Sequence, residues 1–296
     1  MRIIVNPAAD GGRLGREWPQ IAERFASCGL SAPVVFTEAP WHATELAAEA
    51  IAEGVNRVVV AGGDGTVCEA AAGLHRAGGG ELAILPLGTG NDGARTLGVP
   101  TDLEEAARAA VNGRIQPVDL IRIDDHVVFN AIGVGLTGDI NDRAMSIKAA
   151  KIPLLRGILV YLVAALASLF RYRMQKVRMV TGDGNYEGTM LILAVHGGPT
   201  TGGGFALTPA AVPDDGLLDA CLVEEVGPFG RLMRLAAAMK GALGAKKGTH
   251  ERQAPWLELH FSESLPAHLD GNPLTLEPPV ARFEVVPGAL KVVGPQ

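Results

Sequence analysis

Three short glycine-bearing segments hold the residues best placed for chemistry. The strongest is Val58–Val67, which reads Val-Val-Val-Ala-Gly-Gly-Asp-Gly-Thr-Val. A buried-strand pattern runs into glycines, and a helix pattern begins straight afterwards. Glycine lets backbone come close to a phosphate, and a helix N-terminus offers free N–H donors and a favourable dipole. Asp64 in that turn could bind a Mg2+-bound water or a nucleotide hydroxyl; an ordinary strand–helix turn would use it equally well as a cap. The segment Leu85–Asp92 repeats the design after the next strand, as Leu-Pro-Leu-Gly-Thr-Gly-Asn-Asp. Thr89, Asn91 and Asp92 then fall on the carboxyl edge of the sheet, where open α/β sheets bind ligands. Asn6-Pro7 with Gly11-Gly12 puts a third glycine loop on that edge. No GxxxxGK[ST] run occurs and no GxGxxG follows the first strand, which excludes a P-loop enzyme.

The elements that must position these loops alternate in kind. Strand patterns at Arg2–Val5, Ala32–Phe36, Arg57–Ala61 and Leu82–Leu85 alternate with helix patterns at Trp18–Cys28, His42–Glu53, Val67–Ala77 and on to about Asn112. Such alternation implies a parallel sheet with helices on both faces. After about residue 113 short strands follow one another, at Ile115–Ile123, Val127–Ile132, Val177–Thr181, Tyr186–Val195, Leu218–Val223 and Leu257–Phe261. Two helices interrupt them, over about Ile152–Phe170 and Phe229–Leu243. The second places Phe229, Leu232, Met233, Ala236, Met239 and Leu243 on one face. The expected fold class is therefore α/β, a doubly wound domain over 1–122, followed over 123–285 by a mainly antiparallel β-sandwich. The tail 286–296 is a candidate to return to the first domain.

Composition narrows the function classes. A net charge of −6 argues against a general nucleic-acid binder. Cys28, Cys68 and Cys221 are widely spaced and form no metal motif, which suits reduced thiols in a reducing compartment. The start of the chain reads as a strand and turn rather than a signal peptide. The longest uncharged apolar stretch, Gly157 to Phe170, is too short to span a bilayer, which takes roughly 20 residues. A cytoplasmic protein able to visit a membrane is the expectation.

Taken together, Asn6-Pro7, Thr37-Glu38 with His42-Ala43-Thr44, Gly62–Thr66, Pro86–Arg95, Pro209–Asp219 and Asp270-Gly271 resemble the diacylglycerol kinase catalytic-domain family. Within it the chain looks like the bacterial soluble lipid kinases, with sphingosine kinases as relatives. Gly62–Thr66 alone is shared with NAD kinases and phosphofructokinases; its combination with Gly-Thr-Gly-Asn-Asp and Asp-Asp-Gly-Leu-Leu-Asp is far more specific. The resemblance implies an ATP- and Mg2+-dependent transfer to a hydroxyl of a diacylglycerol- or sphingoid-like lipid. It implies nucleotide contacts from Asn6, Thr37, Gly62, Gly63, Asp64, Gly65, Thr66, Thr89 and Asn91. It further implies a water-bridged Mg2+ network of Asp64, Asp92, Asp119 and Arg95, and a second cation on the Asp215 side chain with the Val212 and Leu217 carbonyls. For Asp119 a surface or turn carboxylate remains open, and for Val212–Leu217 a Pro-Asp-Asp-Gly turn without metal remains open.

The implied base lies in a late Asp-Gly-Glu motif, which stands here as Asp270-Gly271-Asn272. Asp270 matches, but an amide at Asn272 cannot take a proton as a carboxylate does, so Asp270 is the expected base. Gly93 stands where the family usually has a large aromatic, and His196 where it usually has asparagine; His196 reads as a satisfied structural histidine.

Between Arg143 and Arg178 lie eight basic residues, Arg143, Lys148, Lys151, Arg156, Arg171, Arg173, Lys176 and Arg178, and no acidic one. Basic flanks around an apolar helix suit peripheral contact with an anionic membrane; a core helix with a solvated basic rim has the same pattern. Exposed strand edges in the β domain would allow a homodimer. Two other functions share part of the pattern: a soluble-acceptor kinase of the NAD-kinase kind, and a non-catalytic nucleotide- or lipid-binding regulator disabled at Asn272.

Overall fold

The computed structural model describes residues 1–150 and 158–295. Lys151, Arg156, Gly157 and the start of the helix expected from Ile152 lie outside the described residues. The chain forms two units, Met1–Leu120 with Val127–Phe129 and Val286–Gln296, and Ile121–His126 with Asn130–Val285.

The first unit is built on strands β1 (Arg2–Val5), β2 (Val34–Phe36), β3 (Arg57–Gly62) and β4 (Glu81–Pro86). Helices α1 (Ala9–Ser27), α2 (His42–Ala52), α3 (Asp64–Arg76), α4 (Asp92–Thr96) and α5 (Leu103–Asn112) connect and follow them. All pairings among these strands are parallel, in the order β2-β1-β3-β4. Val58, Val59, Val60 and Ala61 are wholly buried, as continuous apolar runs in parallel sheets should be. The chain leaves β1 for β2 on one side and then crosses back to β3 and β4, so the loops after β1 and β3 flank the point where strand order reverses. That crevice is the usual ligand position in such sheets. Helix α1 begins earlier than its pattern from Trp18 suggests, because Asp10, Gly11 and Gly12, at φ of 50°, 64° and 80°, wind the first glycine loop into a kinked helix start.

The chain continues through β5 (Arg114–Ile123), β6 (His126–Val128), β7 (Ala131–Gly135), α6 (Leu136–Ala149), α7 (Ile158–Arg171), β8 (Gln175–Thr181), β9 (Gly184–His196), β10 (Leu218–Glu224), α8 (Pro228–Ala238), β11 (Thr249–Ala254), β12 (Trp256–Phe261), β13 (Leu265–Leu269), β14 (Asn272–Leu276) and β15 (Val280–Gly294). In the second unit the ladders β7–β9, β8–β9, β9–β10, β10–β11, β8–β12, β12–β15, β7–β13 and β13–β14 are all antiparallel. Its core gathers Leu136, Leu169, Leu191, Leu207, Cys221 and Val223. Near its end β15 leaves the antiparallel ladder, and Lys291–Val293 pair in parallel with Glu81–Ala83 of β4.

Several elements have no counterpart in the sequence reading, for identifiable reasons. Pro266 in β13 and Pro273 in β14 argue against strands locally, and the charged run Thr-His-Glu-Arg-Gln-Ala forms β11, which pairs with β10 only. The single strand expected over Val127–Ile132 is two, β6 and β7. Asn130 and Ala131 donate their backbone N–H groups to the Asp270 carboxylate at that break.

Candidate active site

The glycine loops of the first unit are packed against one another. A Cβ on Gly88 would stand 2.3 Å from the Gly63 Cα, so only glycine allows the loops after β3 and β4 to meet. The loop after β1 is tied to them by Asn6, whose backbone N–H reaches the Ala61 carbonyl (3.0 Å) and whose Nδ2 donates to Thr66 Oγ1 (2.9 Å). Asn91 sits in the left-handed region at φ 54° and spends its side chain on its own loop. Its Oδ1 accepts from Gly88 N (2.9 Å), while Nδ2 donates to the Pro86 and Gly88 carbonyls (3.2 and 3.0 Å). Thr89 is exposed at the loop tip, and Thr37 is buried at the end of β2, its N–H on the Val5 carbonyl. The structure thus brings Asn6, Gly62, Gly63, Asp64, Gly65, Thr66, Thr89 and Asn91 to one sheet edge, in a backbone cradle that side chains at Gly63 or Gly88 would fill.

Asp64 opens α3 and turns its carboxylate onto the start of α4, where Gly93 N donates to Oδ1 (2.9 Å). Burial and the neighbouring Asp92 push its carboxyl up to about 6, against backbone N–H groups of Gly93, Asp92 and Asn91 that pull it down. Asp92 is buried and paired with Arg95 Nη1 at 2.5 Å, and the Arg95 guanidinium also reaches the Gly90 carbonyl (3.1 Å). Two crowded carboxylates beside a single guanidinium suit a hard cation held through water. Asp119 has a different position: it is buried on β5 and accepts the Gly288 N–H at 2.7 Å. Among the described residues no three His, Cys, Asp or Glu side chains converge as a metal-ligating group. Of the four residues of the implied network, Asp64, Asp92 and Arg95 lie together at the start of α4.

Gly93 explains its own departure from the family pattern. A Cβ there would lie 2.6 Å from the Phe129 ring, which is buried over it, so an aromatic from the β6 hairpin occupies the space. No local signal in Asn91–Arg95 points to Phe129, which is distant in sequence.

At the second candidate cation site Asp215 Oδ1 accepts from Leu217 N (3.0 Å), a local turn bond, and Val212 is exposed. Four residues on, buried Asp219 takes Gln253 Nε2 on Oδ1 (3.0 Å), while its Oδ2 has no hydrogen-bond partner among the described residues. Desolvation, with Asp215 and Glu251 nearby, pushes Asp219 up to about 6. An orphaned buried carboxylate oxygen beside an acidic turn fits a cation there.

Asp270, in the second unit, is held at φ 48° and is nearly buried. Oδ2 accepts from Asn130 N (2.9 Å) and Oδ1 from Ala131 N (2.7 Å), while its own N–H donates to the Ala131 carbonyl (2.8 Å). The adjacent Gly271 N–H donates to His268 Nδ1 (3.4 Å). His268 and His196 are kept neutral by burial, at about 4 and about 3, and His196 Nδ1 meets Thr208 Oγ1 (2.8 Å). His196 is thus buried but only half satisfied, its Nε2 having no hydrogen-bond partner among the described residues, whereas the grip of Asn130, Ala131 and His268 on the Asp270 loop has no signal in the sequence.

The same two-part division appears in comparison with known proteins. A model of the diacylglycerol kinase catalytic domain matches residues 1–123, and one described as the YegS C-terminal NAD kinase beta sandwich-like domain matches residues 131–294. A probable lipid kinase YegS-like protein of Pseudomonas aeruginosa is 34% identical over 272 residues, 92% of this chain and 86% of the relative. One from Xanthomonas euvesicatoria is 35% identical over 284 residues, covering 89% and 87%. The crystal structure of a candidate diacylglycerol kinase from Bacillus anthracis superposes with a TM-score of 0.81 at 26% identity, covering 99% of this chain and 94% of that one. Yeast NADH kinase shares the fold alone, at a TM-score of 0.52 and 11% identity. With its glycine cradle, its Asp64–Asp92 pair and these matches along nearly its whole length, the chain belongs to the diacylglycerol kinase catalytic-domain family and is a kinase.

Proposed function

We propose that this kinase transfers the terminal phosphoryl group of ATP, with Mg2+, to a hydroxyl of a diacylglycerol- or sphingoid-like lipid at a membrane surface. The observation that carries the nucleotide half is the contact of the Gly63 and Gly88 loops beside Asp64 and Asp92. Catalysis of phosphoryl transfer is mostly positioning and charge stabilisation, which such a cradle supplies. Backbone N–H groups of Gly62–Thr66 take the phosphates, and the N-terminus of α3 adds its dipole. Asp64, Asp92 and Arg95 orient the phosphate oxygens. Mg2+, when bound, neutralises charge on those oxygens. A cation held by Asp215 with the Val212 and Leu217 carbonyls would be structural and would steady the loop before β10.

In the acceptor half Asp270 takes the hydroxyl proton. Two backbone donors, from Asn130 and Ala131, fix the orientation of its carboxylate. Asn272 contributes a hydrogen bond rather than a proton-accepting group. Lipid is the acceptor class, supported by the relatives' being named lipid kinases; in this reading the basic apolar segment 143–178 meets the bilayer.

The test is Mg2+-dependent transfer of labelled phosphate from ATP to diacylglycerol, sphingosine, phosphatidylglycerol and undecaprenol in mixed micelles. Label in one lipid, absent with Asp270→Asn, is the expected result. Label only in NAD or another soluble acceptor would replace the lipid reading, and ATP binding without any transfer would favour a regulator.

A further inference from the structure

The second unit carries its most exposed apolar side chains on two helices. On α7, Leu159, Leu162, Leu166 and Phe170 recur at helical spacing and face outward, Phe170 at 72% exposure. The opposite side of α7 is spent on the core through Val160, Ala164 and Leu169. Helix α8 and the turn after it do the same. Ala237, Ala238 and Leu243 are buried, whereas Phe229 and Met239 are exposed at 76% and 67%, with Leu232 and Met233 beside them. The apolar face that the sequence assigns to this helix is thus largely turned to solvent.

The two helices that carry these stripes are tied to each other. Arg231 of α8, itself buried, donates Nη1 to the Leu169 and Tyr172 carbonyls at the end of α7 (2.6 and 3.3 Å) and Nε to the Val226 carbonyl (3.3 Å). A cation on the last carbonyls of a helix satisfies acceptors that have no partner within it and opposes the dipole. Arg231 therefore holds α8 against the end of α7.

Exposed apolar patches of this kind mark interaction surfaces. Its charge decides the occupant. Arg171, Arg173, Lys240 and Lys247 are exposed around the patch and form no ion pair among the described residues; neither α7 nor α8 carries an acidic residue, and the nearest in sequence is exposed Glu225. This cationic rim stands out on a chain of net charge −6. A second copy seated by two-fold symmetry would bring the same basic rim against itself. An anionic bilayer matches both features, apolar side chains entering the acyl boundary and cations meeting headgroups.

We propose that the α7–α8 face, locked by Arg231, is the surface by which this protein inserts into anionic membranes. The inference rests on the lipid-kinase reading only for why a membrane should be there, and it extends the contact beyond segment 143–178 to α8. Co-sedimentation with vesicles of phosphatidylcholine, with and without phosphatidylglycerol, tests it without any turnover. The native chain should pellet with the anionic vesicles and less so as salt rises. A Phe170→Asp, Phe229→Asp variant, with unchanged circular dichroism, should lose about tenfold or more in partitioning while still phosphorylating a short-chain acceptor in solution. An Arg171→Glu, Arg173→Glu variant should lose a similar factor and most of the salt dependence. Failure of the native chain to bind anionic vesicles would overturn the proposal. So would undiminished binding by the Phe variant, or a dimer in light scattering that the Phe variant dissolves. Loss of transfer to the short-chain acceptor by the native chain would instead count against the kinase reading.

Discussion

Half-buried Asp64 and buried Asp270 both accept backbone N–H groups, yet their surroundings differ in a way that separates two uses of an inward-facing charge. Asp270 receives one N–H on each oxygen and closes a loop onto the start of β7. Asp64 is pushed up to about 6, first by desolvation and then by a second carboxylate, Asp92. A carboxylate left at odds with its neighbour in a structure built only for stability would be an unrelieved cost. Beside the glycine loops, as proposed above, the same charge would suit a cation.

The largest effect should come from Asp270→Asn. The amide NH2 would face one of the two backbone donors, costing about 2 kcal/mol or more, and transfer should fall by roughly a hundredfold or more. Urea denaturation and the lipid transfer assay measure the two parts separately. Retained transfer with lost stability would make Asp270 a clamp and move the base elsewhere.

Asp64→Asn should behave oppositely in stability. The folded carboxyl is raised from 3.8 to about 6, so the native chain is relieved of the cost below 3.8 and bears it fully above about 6. The variant, which can keep the Gly93 N–H bond, should be more stable than the native chain at pH 8 by on the order of 2 kcal/mol and should lose that advantage near pH 4. Gly88→Ala comes next: its Cβ would overlap the Gly63 Cα, and a loss of about 1–3 kcal/mol together with weakened nucleotide binding is expected.

A pH series sharpens the same contrast. His196 and His268 fold neutral, at about 3 and about 4 against 6.5 unfolded. Their contribution is complete above 6.5 and is lost as pH falls toward those values. Asp64 works against this loss between about 6 and 3.8, so thermal midpoints of Asp64→Asn should fall more steeply on acidification than those of the native chain. The smallest change is expected from Asn272→Glu: if Asp270 suffices, kcat should move by less than about tenfold.

What the sequence made legible follows the range of the interactions. The parallel strands and the Gly62–Thr66 and Pro86–Arg95 loops are local patterns, so the first unit could be read almost element by element. The contact of Gly63 with Gly88 was implicit in two neighbouring loops. The long-range partners were not legible: Phe129 filling the space over Gly93, Asn130 and Ala131 gripping Asp270 from about 140 residues away, and Gly288 donating to Asp119. The outward turn of the α8 face was hidden for another reason. Periodicity identifies an apolar stripe but not whether the core or the surroundings receive it.

Thermal denaturation at pH 8, with and without Mg2+ and ATP, tests most directly whether the crowded Asp64–Asp92 pair is the nucleotide and cation site. The native chain should gain stability from Mg2+ with ATP, and Asp64→Asn should start from a higher midpoint and gain little or nothing. A variant that is less stable than the native chain, or that responds to the nucleotide as the native chain does, would contradict the assignment.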